Sequence, residues 1–168
     1  MIAGVYLPSA SGAVLSWDRR YRYWLHRRWL AGVGWLVFIM LNPSTADADY
    51  DDPTIRRCIS FAKTLGHKGI IVVNLFAARF SRPSGLRSIS NPVGPENPYY
   101  IGEALKLANR LVCAWGANEP WGQDSVVMDM IRESGKQPWC FGTTRSGAPL
   151  HPLYIPKNTI LKPFIGID

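Results

Sequence analysis

Two kinds of hydrophobic pattern divide the chain. In residues 1–8 and 12–30 apolar and polar positions alternate, as in Tyr21, Tyr23 and Leu25 against Arg20, Arg22 and Trp24. This period of two predicts strands, with a turn at Ser11-Gly12. Beyond residue 34 the apolar positions gather into blocks. Trp35 to Leu41 (WLVFIML) and Gly69 to Leu75 (GIIVVNL) are continuous runs, as expected of strands buried on both faces. Between them Ile55, Cys58, Ile59, Ala62 and Leu65 keep helical spacing. Asp52-Pro53 opens that helix, since aspartate accepts hydrogen bonds from free first-turn amides and proline tolerates the first position; Gly66 closes it. A proline- and glycine-rich loop from Pro83 to Pro98 follows, then a helix through about Arg110, a third strand at Leu111 to Trp115, a helix at Asp124 to Ser134 and a fourth strand at Trp139 to Phe141.

Strands separated by helices predict right-handed crossovers. The expected fold is α/β: a central, mostly parallel four-stranded sheet with helices on both faces, plus an N-terminal antiparallel hairpin. The 168 residues are expected to form one domain, with the hairpin at 1–30 and the α/β core at 35–168. Ligands of such sheets bind beyond the carboxyl ends of the strands. That rule selects Asn42-Pro43-Ser44-Thr45, Asn74-Leu75-Phe76, Trp115-Gly116 and the stretch from Gly142 to Tyr154.

Composition narrows the function classes. The longest apolar run, Gly34 to Leu41, is too short to span a bilayer, and the first residues lack the order of a signal peptide, so a cytoplasmic protein without membrane association is expected. Cys58, Cys113 and Cys140 are far apart and apolar in context, so they read as buried thiols with neither metal nor disulfide, and no cofactor is expected. The net charge of +7 favours a polyanionic partner. Part of it sits in one stretch, where Arg19, Arg20, Arg22, Arg27 and Arg28 interleave with Trp17, Tyr21, Tyr23, Trp24 and Trp29. Such a stretch serves either as a grip on phosphates and bases or as a hairpin with one solvated face. DNA is the expected partner; no protein partner is evident.

Three side chains carry the candidate chemistry. Asn42 ends a buried strand and precedes proline. Asn74 interrupts a run of Ile, Val and Leu, and a buried carboxamide needs partners. It offers a donor and an acceptor together, which reading the edge of a nucleobase requires. His151 lies in a loop of restricted flexibility, Pro149-Leu150-His151-Pro152. Phe76, two residues beyond Asn74, is expected on the same face, where it would either stack on a base or pack in the core. Asp47, Asp49, Asp51 and Asp52 offer Mg²⁺ ligands as an alternative to simple solvation, with Asp52 best explained as the helix cap. Amides, one imidazole and an aromatic suit a reaction that needs positioning and charge stabilisation, such as cleavage of an N-glycosidic bond.

Four segments in order resemble the motifs of the uracil-DNA glycosylase superfamily: MLNPST, VVNLF, CAWGAN and HPLYIP. The chain is also similar, more closely, to the bacterial family called domain of unknown function 1643, through LNPSTADADYDDPTIRR, VVNLFA, PVGPEN, AWG and HPLY. The glycosylase resemblance implies that Asn42 positions water and that His151 stabilises the departing base, as the catalytic pair. It implies Asn74 as base reader; Phe76, from its expected strand face, joins it as a base contact. Leu153 or Tyr154 would be the wedge in the duplex, and Ser44, Thr45 and Arg79 join them as DNA contacts. Asparagine stands where the fastest enzymes of that superfamily carry aspartate, and Leu153 where serine is usual, so a slower or differently selective enzyme is implied. The function expected is therefore a monofunctional, metal-independent DNA base glycosylase. The alternatives are a non-catalytic nucleic-acid-binding module on a glycosylase-like scaffold and a Mg²⁺-dependent nucleotide-processing enzyme.

Overall fold

A computed structural model describes residues 10–166; the strand expected at 1–8 lies outside them. The chain runs β1 (Ser11–Leu15), β2 (Arg22–Arg28), β3 (Trp35–Met40), α1 (Pro53–Thr64), β4 (Gly69–Asn74), α2 (Asn97–Leu107), β5 (Ala108–Cys113), α3 (Gln123–Ser134), β6 (Pro138–Cys140) and β7 (Lys162–Pro163), with 3-10 turns at Pro83–Ser88 and Pro152–Tyr154. All strands belong to one seven-stranded mixed sheet in the order β1-β2-β4-β3-β5-β6-β7.

This corrects the expected four-stranded, mostly parallel sheet with a separate hairpin. β2 pairs antiparallel along β4, from Leu25 opposite Val72 to Arg28 opposite Gly69, so the hairpin extends the sheet. A buried apolar strand such as β4 would otherwise present an open edge. At the far side β7 pairs antiparallel with β6; a two-residue strand leaves no pattern to read. Ser11-Gly12 opens β1, and the hairpin turn falls at residues 16–20. Between these borders β4, β3, β5 and β6 run parallel.

Why β3 reads as an unbroken apolar run is visible in its packing. Trp35, Val37 and Ile39 join the core shared with α2 and α3, whereas Leu36, Phe38 and Met40 join the core shared with α1. Each fully buried side chain of this size contributes about 1.5–3 kcal/mol. α1 begins where chemistry dictates: the Asp52 carboxylate accepts from the Ile55 amide at 2.9 Å, and Pro53 occupies the first turn. It ends at Gly66, whose φ of +78° lets the His67 amide reach back to the Ala62 carbonyl at 3.0 Å. α2 gives way to β5 at Ala108 with no intervening loop, ahead of the expected end near Arg110.

α1 follows β3 onto one face, and α3 follows β5 onto the other. Adjacent parallel strands whose connections leave in opposite directions open a crevice at their carboxyl ends. Among the described residues no helix is long and apolar enough to cross a membrane.

His67, just past α1, is buried, and neither ring nitrogen has a partner. Burial, with Arg110 nearby, holds its pKa below the ordinary imidazole value. The native state therefore resists a proton that the unfolded chain accepts, and stability is lost as pH falls below about 6.5. A His67→Met variant should gain about 1 kcal/mol by removing the unpaired polar atoms. It should also show a shallower loss of stability in urea titrations as pH falls below 6.5.

Candidate functional site

A cavity of about 520 Å³ opens at the carboxyl ends of the parallel strands, within the range of about 300–1,000 Å³ usual for small-molecule pockets. Asn42, Ser44 and Thr45 after β3 line it, as do Asn74 at the end of β4, Trp115 to Asn118 after β5, and Thr144, Leu150, His151, Leu153 and Tyr154 after β6. The first turn of α1, Asp52 to Ile55, forms a further wall. Each strand end thus supplies one group, which is why residues so far apart in the sequence share one space.

Asn42 is half-buried. Its Nδ2 donates to the Pro43 carbonyl at 3.0 Å and the Phe80 carbonyl at 2.9 Å. Those two bonds fix the carboxamide and orient Oδ1, an acceptor, as its free end. Asn74 is only 2% exposed, and its Nδ2 has no hydrogen-bond partner. Leaving a buried amide donor unmet costs about 1–3 kcal/mol, a cost that a ligand acceptor would recover. The backbone around Asn74 is held from below. Asn97, fully buried at the start of α2, donates through Nδ2 to the carbonyls of Asn74 at 2.9 Å and Leu75 at 3.2 Å.

His151 precedes the 3-10 turn, and its Nδ1 accepts from the Leu153 amide at 3.1 Å. Nδ1 must then be unprotonated, so in the neutral ring the proton sits on Nε2. Burial pushes the His151 pKa down, against a smaller opposing pull from Asp52. The imidazole is therefore a neutral Nε2–H donor at pH 7. Arg57 on α1 holds this turn in place: its guanidinium donates to the Pro152 carbonyl at 3.2 Å and also to the Ile155 carbonyl. An Arg57→Gln variant should loosen the turn, expose the ring and raise the His151 pKa toward the ordinary value. A ¹⁵N NMR titration reads this directly, and an unmoved pKa would deny Arg57 that part.

The remaining expected residues divide. Leu153 is 37% exposed and Tyr154 81%, at the rim. Phe76 is not brought to the cavity. The strand ends at Asn74, so period-two alternation stops there, and Phe76 packs in the opposite core with its ring 5.5 Å from that of Trp121. Phe80 lines the cavity instead. Arg79 also stands outside the lining; it donates to the Arg19 carbonyl at 3.3 Å and braces the hairpin tip. Asp47, Asp49 and Asp51 do not reach the cavity. Asp47 accepts from the Asp49 and Tyr50 amides and pairs with Arg19, Asp51 pairs with Arg27 at 2.8 Å, and Asp52 caps α1. Among the described residues no group of three His, Cys, Asp or Glu is placed to share a metal. Asp52 is the only carboxylate among the described lining residues of the cavity, and it is engaged as the cap of α1.

One residue at the floor, Arg22, is legible in the sequence only as a member of the arginine-rich stretch and not as part of the cavity. Register slips between Val14 and Leu15, which face Trp24 and Arg22, so Tyr23 is an extra, bulged residue. Tyr23 stacks on Tyr100 of α2, and Arg22 is turned to the opposite face, beneath the cavity. Bulges re-aim side chains in this way beside functional sites. The even alternation of Tyr21, Tyr23 and Leu25 concealed it.

A search of curated proteins and a search of solved structures each found no match. A family model does match, from Arg22 at the cavity floor to Leu153 at its rim. Over residues 22–153 the chain fits the family described as protein of unknown function (DUF1643), and it belongs to that family.

Proposed function

We propose that this protein is a DNA base glycosylase that receives a base flipped out of the helix and hydrolyses its N-glycosidic bond. The observation that carries the reading is that Asn42, Asn74 and His151 line one cavity, with the imidazole a neutral donor at Nε2. In this reaction the bond between C1′ and the base nitrogen breaks, and its electron pair leaves with the base. The sugar becomes an oxocarbenium ion, and water adds hydroxide at C1′ while its proton ends on the base. No strong nucleophile is needed. Asn74 holds the edge of the base, His151 Nε2–H donates to the oxygen that gains charge, and the Oδ1 of Asn42 orients the water. A preorganised donor of this kind is worth about 10²–10³ in rate.

The surroundings agree with an extrahelical base as substrate. Tyr154 and Leu153 stand exposed at the mouth, placed to fill the gap that a flipped base leaves. Outside the lining, the hairpin tip carries Trp17, 96% exposed, with Arg19 and Arg20, and the Arg79 amide donates to the Arg20 carbonyl at 2.9 Å just ahead of the lining residues Phe80 and Ser81. The four segments that resemble the uracil-DNA glycosylase motifs all contribute to the cavity lining.

The test is release of free base from duplex and single-stranded DNA carrying uracil, hydroxymethyluracil, hypoxanthine or mismatched thymine. Release that is lost in Asn42→Ala and Asn74→Ala, with circular dichroism unchanged, is the expected result. Salt-dependent DNA binding that survives Asn42→Ala, with no release from any substrate, would replace the enzyme by a binding module.

A further inference from the structure

Arg22 is 2% exposed, yet its guanidinium makes no ion pair among the described residues. Nη1 donates to the Ala46 carbonyl at 3.0 Å, and Nε is buried with no partner. Asp52 is the carboxylate whose charge it feels, but Asp52 is already engaged by the Ile55 and Ala46 amides, and Arg27 and Arg79 add like charge. Burial without a contacting counter-ion brings the Arg22 pKa down to about 10, so the group is still charged at pH 7. Burying an uncompensated cation is among the costlier things a fold does. Here the fold inserts a bulge at Tyr23 that aims the cation into the cavity. On the neighbouring strand, and on the same face as Met40 and Val72, Asn74 presents its own unpartnered Nδ2. The first turn of α1 opens onto the same space, with its positive dipole end.

We propose that the floor of the cavity is an anion subsite, in which the Nε flank of Arg22 and the Nδ2 of Asn74 hold two oxygens of a negatively charged group on the ligand. The edge of a guanidinium pairs with two oxygens of one anion, as carboxylates and phosphates both provide. The occupant is therefore either a heterocycle bearing a carboxylate or a group bearing a phosphate. Binding alone defines this subsite, so it stands whether or not a glycosidic bond is cleaved above it.

The test is isothermal titration of the full chain at pH 7 and fixed ionic strength with orotate, its neutral carboxamide and inorganic phosphate. At least one anion is expected to bind at least about tenfold more tightly than the carboxamide, as a charged hydrogen bond in a dry site implies. Tighter orotate identifies a carboxylate-bearing base; tighter phosphate identifies a phosphoryl group. Arg22→Gln should erase the preference. Asn74→Asp, which sets a carboxylate at the floor, should abolish anion binding and serves where Arg22→Gln fails to fold. If neither anion outbinds the carboxamide in the unaltered protein, or if a folded Arg22→Gln or Asn74→Asp variant binds the anion as before, the proposal is wrong.

Discussion

Replacing His151 by alanine should slow base release by about 10²–10³, the loss typical of one donor aimed at developing charge. Glutamine at this position should recover part of the rate, because its amide can also donate. The pH dependence separates this from a purely structural role. Nδ1 of His151 accepts from the Leu153 amide, so a proton arriving there must break that bond and loosen the turn. Since burial holds the pKa below the ordinary imidazole value, single-turnover rate should stay level through pH 7 and fall only below 6.5. The Gln variant should lose that acid limb while keeping its fold. A limb that persists unchanged in the Gln variant would mean that another group titrates.

The second large effect concerns stability. Asp52 does two jobs: it accepts from the Ile55 amide as the cap of α1 and from the Ala46 amide of the preceding loop, and it is the favourable charge felt by buried Arg22. Asp52→Ala removes both and should cost about 3 kcal/mol, of which about 1 is the cap. Asp52→Asn retains an oxygen for the Ile55 amide and should lose mainly the charge contribution. The difference between the two in urea unfolding therefore isolates the cap. If both variants unfold with the midpoint of the parent protein, Asp52 has neither role.

The parts of this fold written by burial were legible. Trp35 to Leu41 and Gly69 to Leu75 read as strands because two packed faces leave no room for polar alternation, and Asp52-Pro53 announces α1 through capping chemistry. The junction of α2 and β5 was not legible, since Ala108 changes conformation with no glycine or proline to mark it. The hairpin's place in the sheet was hidden because an alternating strand looks the same beside β4 as it would free of it. At the site, Asn42, Asn74 and His151 stood out as polar residues where packing needed none. Arg22 did not, because a bulge has no composition of its own. Arg57 did not, because it acts on backbone carbonyls, which no side-chain pattern records. Phe76 misled because alternation was carried one step past the end of its strand.

The most direct measurement is ¹⁵N NMR of the imidazoles of His26, His67 and His151 as a duplex is added that carries uracil on a 2′-fluoro sugar, which resists cleavage. The expected result is a neutral His151 protonated at Nε2 whose resonance shifts on binding, while His67 in the buried turn stays unmoved. An Nδ1-protonated His151, or a duplex that binds without shifting it, would contradict the convergence of Asn42, Asn74 and His151 on an extrahelical base.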